Sequence, residues 1–293
     1  MNEINLPIDL LRAFVTVIDL GGHTRAAEVL NRSQPAVSLQ MKRLEDLLEK
    51  KLMVFEGRLL KLTEDGEALA VYARQLLRLN DEAVAKLLTR HVQGTLRIGL
   101  PTDFAVAFLQ EAISAFIRER HLVDVEIVCG LSRDILDRLH RNELDIVVGL
   151  LGAEANPYLV RAWEEQPIWA GSRVNDVRRV QPVPLAAHPE GCEYRRRMFA
   201  ALRSAGRAWR VAYTNPEIGG LQTAVSVGLG VTALTRKTLL PDMVVLTAED
   251  GFPPLETIRI GLFYKHALLT AAGLQLVNCL IESLDDAAGP ASR

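Results

Sequence analysis

Between Thr63 and Arg90 the positions Leu69, Ala73, Leu76, Asn80, Ala83 and Leu87 alternate in steps of four and three, which puts them on one stripe of a long helix. At 1.5 Å per residue such a helix runs about 42 Å, too long to be buried inside a small module. The stripe therefore predicts a coiled-coil seam whose partner is the same helix of a second subunit, with Asn80 setting the register. Thr63 caps its start, and Glu64 and Asp65 fall in the first turn, where the helix dipole favours negative charge. At 293 residues the chain exceeds one ordinary domain, and this helix divides it. Residues 1–62 form a small module, 63–93 the connecting helix and 94–293 a larger body.

Leu10, Leu11, Phe14, Val17 and Ile18 repeat at helical spacing until Gly21-Gly22. A short helix follows over Thr24 to Leu30, then turn chemistry at Asn31-Arg32-Ser33. A third helix starts at Gln34-Pro35 and buries Val37, Met41, Leu44 and Leu48. Two short helices joined by a tight turn make a helix-turn-helix. Leu52 to Leu62 fits a two-stranded wing around Gly57. The third helix leaves Gln34, Pro35, Ser38, Leu39 and Lys42 on the face opposite its core residues, free to enter the major groove of double-stranded DNA. Gln pairs bidentately with adenine, Ser meets several base edges, and an apolar side chain touches a thymine methyl. Arg25, Arg32 and Lys42 suit phosphates, which position without specifying sequence; Arg58 and Lys61 on the wing suit a minor groove or a phosphate, with plain surface charge the equal alternative. A formal net charge of −2 confines any such binding to a local surface.

After Gly94 the pattern changes. Strand Thr95 to Leu100, helix Asp103 to Arg120, strand Val123 to Cys129, helix Ser132 to Arg141 and strand Leu144 to Gly149 predict a parallel sheet covered by helices. A second α/β unit follows the loop at Asn156-Pro157, with strands at 168–171, 183–187, 209–213 and 231–234. Strand Thr257 to Tyr264 and helix Leu268 to Leu284 return to the first unit. Lobe I is placed at 94–161 and 265–293, lobe II at 162–264. In α/β lobes small molecules sit at the carboxyl ends of strands and at helix N-termini. That rule points to Pro101, Thr102, Asp103, Ser132, Gly149 and Leu150 on one side and Tyr213, Thr214 and Asn215 on the other. Asp103 already supplies negative charge there, so a neutral or mixed ligand fits better than a plain carboxylate. Tyr213, Trp169 and Trp209 are candidate cleft aromatics, each with a place in the core as the plainer alternative. For His188 an exposed loop is the default.

Other classes find little support. The sequence has no glycine-rich phosphate loop, nucleophile elbow or metal-spaced cluster, so neither metal nor cofactor is expected, and an α/β enzyme is the weaker alternative. Cys129, Cys192 and Cys279 are far apart and form no CxxC pair; inert thiols are the main reading and a redox pair the minor one. No apolar run approaches the roughly 20 residues of a membrane helix, and Met1 to Leu11 lacks signal-peptide features, which predicts a cytoplasmic protein. A regulator that works mainly by protein contacts, with weakened DNA binding, is the alternative that Met53, Phe55 and Leu39 suggest.

The run Phe14-Val15-Thr16-Val17, Thr24-Arg25-Ala26-Ala27-Glu28-Val29-Leu30, Ser33-Gln34-Pro35-Ala36-Val37-Ser38-Leu39-Gln40-Met41, Leu44-Glu45 and Leu62-Thr63-Glu64-Asp65-Gly66 resembles the LysR-type signature. Gly94-Thr95-Leu96-Arg97-Ile98-Gly99 is similar to the family's first sensor strand. The resemblance implies a winged helix-turn-helix with a linker helix, then a two-lobed effector domain like a periplasmic binding protein. It further implies a homodimer or homotetramer, a small-molecule effector and contact with RNA polymerase. Arg210-Val211-Ala212-Tyr213, 228–233 and 251–255 look like the LrhA/HexA/PecT branch, which is associated with repression of motility and exoenzyme or virulence genes. The chain departs from the family pattern at Leu52-Met53-Val54-Phe55, where Leu-Phe-x-Arg is usual. Glu49 stands for a glycine, Gly22-His23 for a capping serine and a phenylalanine, and Leu39 for an arginine.

Overall fold

The structure, a computed structural model, describes residues 5–56, 59–87, 94–104, 109–120, 123–152 and 156–288. Helix α1 (Ile8–Leu20) ends where Gly21 turns left-handed at φ 71° and its N–H reaches the Ile18 carbonyl. Helices α2 (His23–Val29) and α3 (Gln34–Leu48) pack on it, burying Leu10, Phe14, Ala26, Val37, Met41 and Leu44. The turn between α2 and α3 is closed by Asn31 at φ 51°, and Ser33 Oγ accepts from the Ala36 N–H at 3.4 Å. Strands β1 (Met53–Glu56) and β2 (Leu59–Leu62) pair antiparallel as the wing. Glu45 fixes the approach to the wing, accepting from the Leu52 N–H at 2.9 Å and the Lys51 ammonium at 2.7 Å.

Helix α4 (Glu64–Leu87) begins at Thr63, whose hydroxyl accepts from the Gly66 N–H at 3.1 Å and donates to the Lys51 carbonyl at 2.6 Å. A Cβ on Gly66 would stand 2.0 Å from the Leu52 carbonyl oxygen, so only glycine lets helix and wing approach this closely. The six-residue stripe is divided. Leu69 and Ala73 are buried inside the module against α1, because the first turns of α4 complete that core. Leu76 and Ala83 are exposed, Asn80 is half-buried and donates to Asp81 at 2.9 Å, and the side chain of Leu87 lies outside the described residues. The apolar strip left open is Tyr72, Leu76, Leu79 and Ala83, again spaced four, three, four.

In the body, β3 (Gly94–Leu100), β4 (Val123–Cys129), β5 (Ile146–Leu150), β6 (Leu159–Glu165) and β12 (Ile258–Tyr264) form one sheet in the order β4-β3-β5-β12-β6. Strands β3, β4 and β5 run parallel, while β12 is antiparallel to both β5 and β6, so the sheet is mixed where an all-parallel one was expected. Of the helix expected over 103–120, the described residues include α5 (Thr102–Phe104) and α6 (Gln110–Glu119). Helices α7 (Ser132–His140) and α10 (Ala271–Ala288) cover this sheet. The second lobe holds β7 (Ile168–Ser172) between β10 (Thr232–Leu234) and β11 (Met243–Leu246), beside the parallel pair β8 (Val183–Ala187) and β9 (Trp209–Thr214). It also carries α8 (Glu193–Ser204) and α9 (Ile218–Ser226).

The lobe limit placed at 162 cuts β6, and the limit at 264 leaves all of β12 to the second lobe. Both β6 and β12 belong whole to the first lobe's sheet, and the chain crosses at Gln166-Pro167 and around Thr257. Gln166 bridges the two crossings: its amide donates to the Leu255 carbonyl at 2.8 Å, and its Oε1 accepts from the Thr257 hydroxyl at 3.2 Å.

The module is fastened to the body by buried charge. Arg74 on α4 meets Asp19 on α1 at 2.5 Å, both fully buried, and the other Asp19 oxygen accepts from the Ala267 N–H at 3.3 Å. Nearby, Asp81 accepts from Arg12 at 2.5 and 3.1 Å and contacts His266 Nε2 at 3.1 Å. Burial alone would raise the Asp81 pKa; bonds from His266, Arg12 and Asn80 outweigh it and hold the carboxyl well below its ordinary value.

Candidate functional site

On α3 the residues Gln34, Pro35, Leu39 and Lys42 are exposed, Leu39 to 66%, while Val37, Met41 and Leu44 of the same helix are buried. Ser38 is half-buried and accepts from the Gln34 amide at 2.9 Å, a bond that pre-sets both side chains before any base arrives. Arg25 on α2 and Arg32 in the turn are exposed beside this face, and Lys61 is exposed on β2. Arg58 lies outside the described residues. The protruding face has the residue types and the shape for a major groove.

Between the lobes lies a cavity of about 460 Å³, a volume typical of small-molecule sites. Pro101, Thr102 and Asp103, at the end of β3, line it together with Ser132 and Leu150. The Ser132 hydroxyl accepts from the Leu150 N–H at 2.9 Å, tying the start of α7 to the end of β5. Gly149 stands behind Ser132 and does not line the space. Asp103 is only 6% exposed and accepts a 2.8 Å bond from the Tyr194 hydroxyl on α8, a direct link between the lobes. Burial, then the Asp103 charge, pushes the Tyr194 pKa well above its ordinary value.

The second lobe's wall differs from the expectation. Tyr213, Thr214 and Asn215 do not line the cavity. The turn after β8 faces the cavity through His188, and after β9 the chain reaches it at Pro216, past the expected residues. Asn215 closes the turn before α9, donating to Tyr213 Oη at 2.8 Å and accepting from the Glu217 N–H at 2.8 Å. The wall is built from His188, Cys192, Tyr194 and Pro216. His188 is therefore buried and not an exposed loop residue, and burial pushes its pKa down. Trp169 is core, its indole donating to the Pro253 carbonyl at 2.7 Å, and Trp209 packs on Phe199. No sequence pattern marked His188, Cys192 or Tyr194; the Ala187-His188-Pro189 step at a strand end was the available signal.

His140 and Asn156 complete the cavity on the first lobe's side. Burial, then the nearby Lys265 charge, lowers the His140 pKa. Burial raises the thiol pKa of each free cysteine, that of Cys192 to about 11, which disfavours the reactive thiolate. Among the described residues no group of His, Cys, Asp and Glu is arranged to hold a metal, and no helix is long and apolar enough to cross a membrane.

Residues 8–67 match the family described as bacterial regulatory helix-turn-helix protein, lysR family, and residues 89–285 match the LysR substrate binding domain. The chain is 34% identical over 291 residues to the transcriptional regulator DgdR of Burkholderia cepacia, covering 96% of each. It is 32% identical to the regulator PecT of Dickeya dadantii, covering 87% of this chain and 81% of PecT. Among solved structures, DarR of Vibrio fischeri in complex with DNA superposes with a TM-score of 0.53 at 16% identity, over 94% of this chain and 98% of DarR. LysG of Corynebacterium glutamicum, with bound effector Arg, gives 0.53 at 18%, over 95% and 98%. At those identities the likeness is one of fold.

Proposed function

The chain belongs to the LysR family of transcriptional regulators, and on that premise we propose that α3 reads operator DNA while the inter-lobe cavity holds the effector. The family assignment gives an N-terminal DNA-binding domain and a C-terminal effector-binding domain. The residue roles are our own reading. Gln34, Ser38 and Leu39 read base edges, Arg25, Arg32 and Lys42 hold phosphates, and Thr102, Asp103 and Ser132 meet the ligand. Two subunits pair through α4, and the complex acts in the cytoplasm on RNA polymerase at the promoter. The observation that carries this reading is the exposed face of α3, pre-set by the Gln34–Ser38 bond and set off from a fully packed core.

The test is fluorescence anisotropy with DNA from the gene's own upstream region against a scrambled duplex of equal length. Gln34→Ala should lose roughly 1 to 3 kcal/mol on the upstream site and little on the scrambled one. Equal loss on both would remove Gln34 from base readout. Absence of site preference in the wild-type protein would favour a regulator that acts through protein contacts.

A further inference from the structure

A continuous line of contacts leads from the cavity to the DNA-binding module. His140 lines the cavity, and its ring meets the Tyr158 ring edge-on at 5.1 Å. Asn156, also on the cavity wall, accepts the Tyr158 backbone N–H at 2.9 Å, so two separate cavity residues fix where Tyr158 stands. The guanidinium of Arg74 lies 5.9 Å from the centre of the Tyr158 ring. Arg74 is buried on α4 and spends one nitrogen on Asp19 of α1, while its Nε and Nη1 have no hydrogen-bond partner. Its placement therefore depends on the Asp19 carboxylate and on the π face of Tyr158. Lys265 fastens the same corner, donating to the His140 carbonyl at 2.8 Å and lying 5.0 Å from the centre of the Tyr158 ring.

We propose that Tyr158 is a positioning residue that couples the cavity to the DNA-binding module through Arg74 and Asp19. The proposal rests on the reading of the cavity as the effector site for its biological meaning; the contacts from His140 to Asp19 do not. A ligand that shifts the His140 ring or Asn156 moves Tyr158, and Tyr158 can yield only by altering the seat of Arg74, the cation that holds α4 to α1. The far end is packed, with Arg74 and Asp19 fully buried, so a displacement of the half-buried Tyr158 ring is passed on to them. The coupling requires the aromatic ring; the phenol oxygen plays no part.

The test is a double-mutant cycle in the full-length protein, read as Kd for the upstream DNA without any added ligand. His140→Ala should change Kd by roughly 2- to 30-fold, the span of coupling energies seen along such networks. In a Tyr158→Leu background the same substitution should leave Kd unchanged, whereas Tyr158→Phe, which keeps the ring, should preserve the effect. An equal change in the wild-type and Tyr158→Leu backgrounds, or no change on His140→Ala, would overturn the proposal. Should Tyr158→Leu fail to fold, amide exchange in His140→Ala decides the matter: lost protection reaching Asp19 and Arg74 supports the relay, and loss confined to the cavity wall refutes it. Because no ligand enters these measurements, a failure to find an effector for the cavity would count against the functional reading and leave the relay standing.

Discussion

Two residues of the module show how much a single position can impose. Gly66 is required because the Leu52 carbonyl occupies the place of any Cβ, so Gly66→Ala should destabilise the module by about 2 to 3 kcal/mol, seen as a lowered thermal midpoint. Glu49 is the opposite case. It caps α3 in the left-handed region at φ 52°, where glycine is comfortable and a side chain is not. Glu49→Gly should therefore raise stability by about 0.5 to 1 kcal/mol, less than the full relief of strain because glycine loses more chain entropy on folding. An unchanged or lowered midpoint would show that the surrounding turn already carries the strain. Both positions were visible in the sequence as a glycine kept and a glycine lost; the carbonyl that makes Gly66 compulsory belongs to a distant residue.

At the level of elements, periodicity identified the helices of the module and the length of α4, since each is set by local spacing. Which face of α4 points where was not legible, because a heptad stripe does not say whether its partner is another subunit or the chain's own α1. The first half of the expected seam turned inward. That division gives a sharp expectation: Leu76→Asp, on the open strip, should yield monomers by sedimentation and abolish operator binding with them, because each half-site is read by one subunit. Leu69→Ala should instead cost about 2 to 5 kcal/mol of stability and leave the subunits associated. Reversal of these two outcomes would return the seam to Leu69 and Ala73. The cavity was half legible for a related reason. In the first lobe the βαβαβ run sets β3 parallel to β5 and brings their carboxyl ends together, so Thr102, Asp103 and Ser132 could be placed. Which residues of the second lobe face the cleft depends on how its strands and turns are placed, which spacing does not encode: His188 after β8 lines it, and after β9 Pro216 lines it in place of Thr214 and Asn215.

For the whole molecule, the charges that fasten module to body set how it responds to removal of a partner and to acid. Arg74→Met leaves Asp19 buried without its cation and should cost about 3 to 5 kcal/mol, most of it recovered when Asp19 is also replaced by leucine. Asp81 has a depressed folded pKa, so its stabilisation is present above its ordinary value of 3.8 and is lost as pH falls through the lower, folded value. Denaturant midpoints of Asp81→Asn should accordingly be lower than wild type near neutral pH and converge with it in acid; parallel curves would show that the network does not titrate with folding. The lobes are joined by two crossings, tied together by Gln166, and by the Asp103–Tyr194 bond, so any rotation of one on the other would turn about the crossings and open that bond. With α4 fastened to the first lobe, that rotation is amplified by a lever of about 36 Å, the length of its 24 residues. A turn of about ten degrees, small among known domain rotations, would sweep the end of the lever roughly 6 Å as seen from the second lobe. That distance approaches two base-pair steps, enough to change which bases a recognition helix meets.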